Sequence, residues 1–177
     1  MNTEIIRHVR EMCPLVHCIT NYVTVNDVAN MLLACGGSPI MADDIGEAAD
    51  ITSICNATVI NIGTLNVRTI ESMVAAGKRA NELGHPVILD PVGAGASALR
   101  TETTFRLLKE VKFSVIRGNI SEIKTVYAGS GSTKGVDADA ADTVTEDNIG
   151  EAADDLSPRT PLQPHFLHRY RGQYLLS

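Results

Sequence analysis

The sequence predicts an α/β fold with a mostly parallel sheet, and three observations carry that expectation. Short β-branched or apolar runs alternate at least four times with stretches of helical apolar period, the connections are short, and several runs end in a polar or glycine-bearing turn. Such alternation gives βαβ units with helices on both faces of the sheet. A chain of 177 residues, 44% hydrophobic and 20% charged, suits one globular core. No repeat of fixed period is visible.

Each element has its own local reason. Ile5, Ile6, Val9 and Met12 have the spacing of a short helix over residues 4–12, which Pro14 stops. Leu15 to Thr20 reads as a first strand delivering Asn21 and Thr24 to a turn. Val25, Val28, Ala29, Leu32 and Leu33 then recur with helical period until Gly36-Gly37. Ser38 to Met41 is extended, and Asp43 or Asp44 is the expected N-cap of a helix through Cys55. Thr58 to Ile62 is a β-branched strand run that Gly63-Thr64 turns into a helix over about 67–83, with Gly84 just past its end.

The organising stretch is His85 to Ala96. A short apolar run between two prolines reads as a strand buried on both faces, ending in Asp90 and a glycine-rich bend. At the carboxyl edge of an α/β sheet an acid can meet a cation or a substrate hydroxyl. It can equally cap the bend with its own side-chain oxygen. Thr101 or Thr103 is then placed to cap a helix to about Val111, Phe113 to Ile116 is the next strand, and Arg117-Gly118-Asn119 forms its turn. Ser121 or Asn119 caps a helix carrying Glu122, Ile123, Val126 and Tyr127, ended by Gly129.

The pattern weakens after Gly129. Residues 129–148 read as a loop with a helix start at Thr145. Residues 150–177 are set apart from the domain over 1–149: three prolines fall between Pro158 and Pro164, and neither apolar period is present. Such a tail is expected to lie on the surface or to be disordered rather than to supply a central strand.

Composition narrows the function classes. Net charge is −6 and no acid follows Asp155, so residues 1–156 hold all 21 acids against 12 Lys and Arg. A nucleic-acid binder needs a basic face, and none is visible. Cys13, Cys18, Cys35 and Cys55 form no C-x-x-C pair and read as buried free thiols. No apolar run approaches the ~20 residues of a membrane span, and the N-terminus lacks a signal-like apolar region, so the expected location is cytoplasmic.

Three turns carry groups able to converge on one crevice: Asn21, Asp90, and Arg117 with Asn119 and Glu122. Asp90 and Glu122, directly or through water, suit Mg²⁺, and the planar fork of Arg117 suits a phosphate. The same set also reads as an ordinary solvated rim. Gly93-Ala94-Gly95 lacks the phosphate-loop spacing and a Walker lysine, so it reads as a turn. His17 reads as a hydrogen-bonded structural histidine, Met41 as core or pocket lining, and His165-x-x-His168 as a chelator only if helical.

Six blocks in order resemble the hydroxyethylthiazole kinases: Pro14 to Thr24, Ala29 to Ala34, Ser38 to Ala42, Asn61 to Leu65, Ile88 to Ala96 and Ile116 to Asn119. The likeness covers about residues 13–149. It implies a ribokinase-like three-layer α/β/α fold and transfer of a phosphoryl group from ATP, with Mg²⁺, to the hydroxyethyl group of 4-methyl-5-(2-hydroxyethyl)thiazole in thiamine salvage. It further implies that Met41 contacts the thiazole, with Asn21, Gly63 and Thr64 near it. Arg117 would contact ATP, Asp90 and Glu122 would lie by the metal and phosphates, and the assembly would be a homotrimer. Full family members continue with a nucleotide-side turn and a Gly-x-Gly-Cys segment that holds the catalytic cysteine. Neither is found in residues 150–177. The expectation is therefore a chain cut short, with the sheet incomplete at its C-terminal end, no catalytic residue assigned and activity in doubt. A non-catalytic thiazole-binding or assembly subunit is the alternative, and another small-alcohol kinase of the same fold a third.

Overall fold

The computed structural model describes residues 3–128, 167–170 and 173–176. In chain order the elements are α1 (Thr3–Met12), β1 (Leu15–Ile19), α2 (Val25–Cys35), β2 (Ser38–Ile40), α3 (Ala48–Ile54), β3 (Ala57–Asn61), α4 (Val67–Glu82), β4 (Val87–Asp90), α5 (Ala98–Glu110), β5 (Val115–Gly118), α6 (Ile120–Ala128), β6 (Leu167–Tyr170) and β7 (Gln173–Leu176). The sheet order is β2-β1-β3-β4-β5-β7-β6. β1 to β5 are parallel, whereas β7 runs antiparallel to both β5 and β6.

Alternation along the strands sorts side chains between two faces. Register aligns Ile19, Ile60, Leu89 and Ile116 in one row, all buried. Ala48 of α3, Met73, Ala76 and Ala80 of α4, Leu107 of α5 and Ile123 of α6 pack on that face. In the opposite row Cys18 is buried, and Val59, Ile88 and Val115 are half-buried. β4 is thus deeply covered on one face and half-covered on the other, because only alternate residues meet the α3–α6 layer. Removing the Leu89 side chain to alanine there costs about 2–5 kcal/mol.

Several starts differ from expectation for local reasons. Asp44 accepts the Gly46 N–H in a tight turn, which delays α3 to Ala48. Ser97 rather than Thr101 or Thr103 caps α5, accepting the Arg100 N–H, while the Thr101 hydroxyl bonds back to the Ser97 carbonyl. β5 begins two residues later than expected, so Arg117 lies on the strand and not in the turn. Asn119 and Glu122 form a reciprocal capping box at α6, so Asn119, not Ser121, is the cap.

The tail differs more. Leu167–Tyr170 and Gln173–Leu176, expected on the surface or disordered, extend the sheet as a hairpin paired with β5. They lie beyond the last proline, Pro164, and each strand carries a tyrosine, a residue that favours extended backbone. The edge of β5 supplies the unpaired backbone groups that such a segment satisfies. His168 is on β6, so a helical His165-x-x-His168 pair is not formed. The expected loop over 129–148, the Thr145 helix start and a boundary at 150 lie outside the described residues.

Candidate functional site

Five parallel strands present their carboxyl ends along one rim. Across it lie Met41 after β2, Asn21 after β1, Asn61, Gly63 and Thr64 at β3, Asp90 at β4 and Arg117 on β5. The order reverses at β1, whose neighbours are β2 on one side and β3 on the other. Right-handed crossovers send α2 to one face of the sheet and α4 to the other, which opens a crevice outside β1 and β3.

A continuous row of side-chain hydrogen bonds crosses that crevice. Asn21 Oδ1 accepts the N–H groups of Val23 (3.0 Å) and Thr24 (3.1 Å), which leaves its amide to donate to Asn61 Oδ1 at 3.0 Å. Asn61 Oδ1 also accepts the Gly63 N–H at 2.8 Å, and Asn61 Nδ2 donates to Asp90 Oδ2 at 3.0 Å. Asp90 Oδ2 in turn accepts from Arg117 Nη1 at 2.6 Å. The row exists because Asn61 pairs with Asp90 in register and Leu89 with Ile116, one step before Arg117. Glycine at 63 follows from the close approach: a Cβ there would stand 2.9 Å from Asn61 Oδ1 and 3.0 Å from Asn21 Cβ. The Thr64 hydroxyl accepts the Tyr22 N–H at 3.4 Å.

Asp90, Arg117 and Glu122 therefore stand together. Burial pushes the Asp90 carboxyl up from its ordinary value, Arg117 opposes that, and nearby Glu122 reinforces it. Burial outweighs the ion pair because almost half of the Arg117 side chain is exposed, where solvent screens its charge (47% exposed, against 13% for Asp90). Glu122 is buried, and its two oxygens accept the N–H groups of Gly93 (2.9 Å) and Asn119 (2.8 Å).

The Gly93–Gly95 bend is a turn with its own donors occupied. Gly93 and Gly95 have φ of 72° and 90°. Their N–H groups go to Glu122 and Thr101, and those of Ala94 and Ala96 to the Pro91 and Gly93 carbonyls. Arg100 ties this bend to the next, donating to the carbonyls of Val92 (3.1 Å) and Gly63 (2.8 Å). Met41 is half-buried on the same rim, one residue before Ala42, whose carbonyl accepts from His17 Nε2 at 2.7 Å. His17 is fully buried and its other nitrogen meets the Thr52 hydroxyl at 2.8 Å, a structural role.

Asn61 and Arg100 escaped the sequence reading. Asn61 carried a signal, a polar residue closing a β-branched run two positions before a glycine; Arg100 carried none.

The model of the hydroxyethylthiazole kinase family matches residues 6–158. The chain belongs to the hydroxyethylthiazole kinase family. Its relatives include proteins named hydroxyethylthiazole kinase from Clostridium acetobutylicum, 66% identical over 84% of this chain and 55% of that protein, and from Methanobrevibacter smithii, 48% identical over 87% and 56%. The solved structure of a hydroxyethylthiazole kinase protein from Pyrococcus horikoshii OT3 matches with a TM-score of 0.75 at 35% identity, covering 98% of this chain and 62% of that one. The ribokinase-like α/β fold follows from that likeness. The chain spans about half the length of the curated relatives it matches.

All four cysteines are free, with Cys18 and Cys55 buried, Cys35 partly buried and Cys13, contrary to expectation, exposed. Among the described residues no helix is long and apolar enough to cross a membrane.

Proposed function

We propose that the rim is the acceptor side of a hydroxyethylthiazole kinase site, in which ATP phosphorylates the primary alcohol of 4-methyl-5-(2-hydroxyethyl)thiazole. The carrying observation is the Asn21–Asn61–Asp90–Arg117 row at the switch point of a chain from this family. Transfer forms a bond from the γ-phosphorus to the alcohol oxygen, breaks the bond to the ADP oxygen and releases the alcohol proton. Positioning and charge neutralisation do most of that work. Met41, Asn21, Gly63 and Thr64 line the alcohol side, and Arg117 offers the remaining donors of its fork to ATP phosphates.

Mg²⁺ fits the donor set at Asp90. Asp90 Oδ2 takes both Asn61 and Arg117, and Asp90 Oδ1 has no hydrogen-bond partner among the described residues. Among those residues no cluster of three or more His, Cys, Asp or Glu stands ready for a metal. An oxygen donor such as Asp90 Oδ1 suits an ion that keeps several waters and takes phosphate oxygens as ligands. Asp90 would hold it, with Glu122 adding charge while it secures the bend. The bound ion would neutralise charge on the transferring phosphoryl group.

The N–H groups of Gly93 to Ala96 are all taken by Glu122, Thr101 or backbone carbonyls, which leaves this bend none for a phosphate and favours a second reading: a thiazole-binding or assembly subunit without nucleotide chemistry. A coupled ADP-release assay with the thiazole alcohol and Mg·ATP separates the two. Turnover that falls by roughly 10²-fold in Arg117→Ala supports the kinase. Thiazole binding without turnover supports the second reading, and preference for a sugar or hydroxymethylpyrimidine supports another small-alcohol kinase.

A homotrimer and a cytoplasmic location complete the proposal. Helix α2 buries none of its residues, and Met31 and Leu33 are exposed on it, as are Tyr22 and Val23 just before it. Apolar surface of this kind is what a subunit interface covers. Four free thiols fit a reducing compartment. Sedimentation analysis tests the trimer.

A further inference from the structure

We propose that Asn61 is a positioning residue that fixes the plane of the Asp90 carboxylate, so that one oxygen is tied up and the other is left toward the crevice, and that ties this orientation to the turn carrying Gly63. The proposal rests on the rim being the site, but not on which alcohol or nucleotide occupies it.

The orientation of the Asn61 amide is forced. Two donors, Asn21 Nδ2 and the Gly63 N–H, converge on Oδ1 at 3.0 and 2.8 Å. A flipped amide would set its NH₂ against both, so Nδ2 must point at Asp90, which it meets at 3.0 Å. Asp90 Oδ2 thereby receives two donors, Asn61 and Arg117, and Oδ1 is the oxygen left to a water, a cation or an alcohol. The charged groups facing Asp90 are Arg117 from β5, which favours its ionised form, and Glu122 from α6, which opposes it. Asn61 adds a neutral donor to the ionised form in a buried setting, where a hydrogen bond counts for more.

The row also links two sides of the crevice. Asn21 Oδ1 holds the Val23 and Thr24 N–H groups while its amide holds Asn61. A ligand that displaces the Asn21 turn therefore pulls on the group that orients Asp90.

The test is NMR and crystallography on the full 177-residue chain at one fixed pH, with no ligand added. In the wild type, scalar couplings across the hydrogen bonds are expected from the Asn61 NH₂ group to the Asp90 carboxyl carbon and from the Gly63 N–H to the Asn61 amide carbon. In crystals of Asn61→Ala the Asp90 carboxylate should turn out of its wild-type plane. A missing Asn61–Asp90 coupling overturns the proposal, and so does an unchanged Asp90 carboxylate plane in the folded variant. If the variant does not fold, the wild-type couplings decide alone. Because neither readout uses turnover, a chain without kinase activity can still bear out the role of Asn61, and an active chain can still refute it.

Discussion

Glu122 Oε1 accepts the Gly93 N–H at 2.9 Å, so a carboxylate on α6 holds the bend that follows β4. Its other oxygen caps its own helix at Asn119. One buried side chain thus fixes the spacing of two turns at the rim. In Glu122→Gln the NH₂ group must face one of those two N–H donors. The expected loss is about 1–3 kcal/mol of stability, read from the urea midpoint. A midpoint equal to wild type would mean that water satisfies the displaced N–H and that Glu122 is no strut.

Gly63→Ala should separate the alcohol side from Asp90. The new methyl would press on Asn61 Oδ1 and Asn21 Cβ at 2.9 and 3.0 Å, and neither belongs to the free end of a flexible side chain. Both amides are held by other bonds, so relief requires the Gly63–Thr64 turn to move. Binding of the thiazole alcohol, followed by titration calorimetry, should weaken by about 10-fold or more, equivalent to ~1.4 kcal/mol. Affinity at the wild-type level would show that this turn does not border the alcohol.

Much of this was legible in the chain itself, because the deciding interactions are local. Gly36 and Gly84 end α2 and α4 in left-handed conformation, as their positions after apolar periods require. Asp90 and Arg117 are each visible as polar residues at the end of an apolar run. What could not be read is their contact, which register between β4 and β5 decides. The hairpin of β6 and β7 was illegible for a related reason: its pairing comes from the open edge of β5, with no periodicity of its own. Asn61 closes a β-branched run, and only its register beside Asp90 makes it the centre of the row.

Thiol reactivity should rank the cysteines by environment. Burial pushes the Cys18 thiol up to about 12 and raises that of Cys55, whereas Cys13 is exposed at the end of α1. Only the thiolate attacks a disulfide reagent, so Cys18 is starved of both ionisation and access. With an aromatic disulfide at pH 8, Cys13 should react first and Cys18 only as the protein unfolds. Fast labelling of Cys18 under native conditions would place β1 outside a closed core.

Acid should destabilise the protein through His17. Burial lowers the folded pKa of this histidine against the opposing pull of the Ala42 carbonyl and Glu47. In the neutral ring Nε2–H donates to Ala42 and Nδ1 accepts the Thr52 hydroxyl proton. On protonation the hydroxyl can turn to the Ala48 carbonyl, 2.9 Å away, so it is desolvation that resists the charge. The unfolded chain takes up a proton near its ordinary value of 6.5 and the folded chain does not. Stability is then complete above about pH 6.5 and falls below it, by at most ~1.4 kcal/mol per pH unit, until the folded pKa is passed. Asp90 has the opposite sign: its raised carboxyl pKa makes the folded state bind a proton more readily, so it adds stability as pH falls through that carboxyl's own range. Urea midpoints of wild type and His17→Gln between pH 5 and 8 separate the two. The variant should lose the slope below pH 6.5, and an unchanged slope would assign the acid sensitivity to another group.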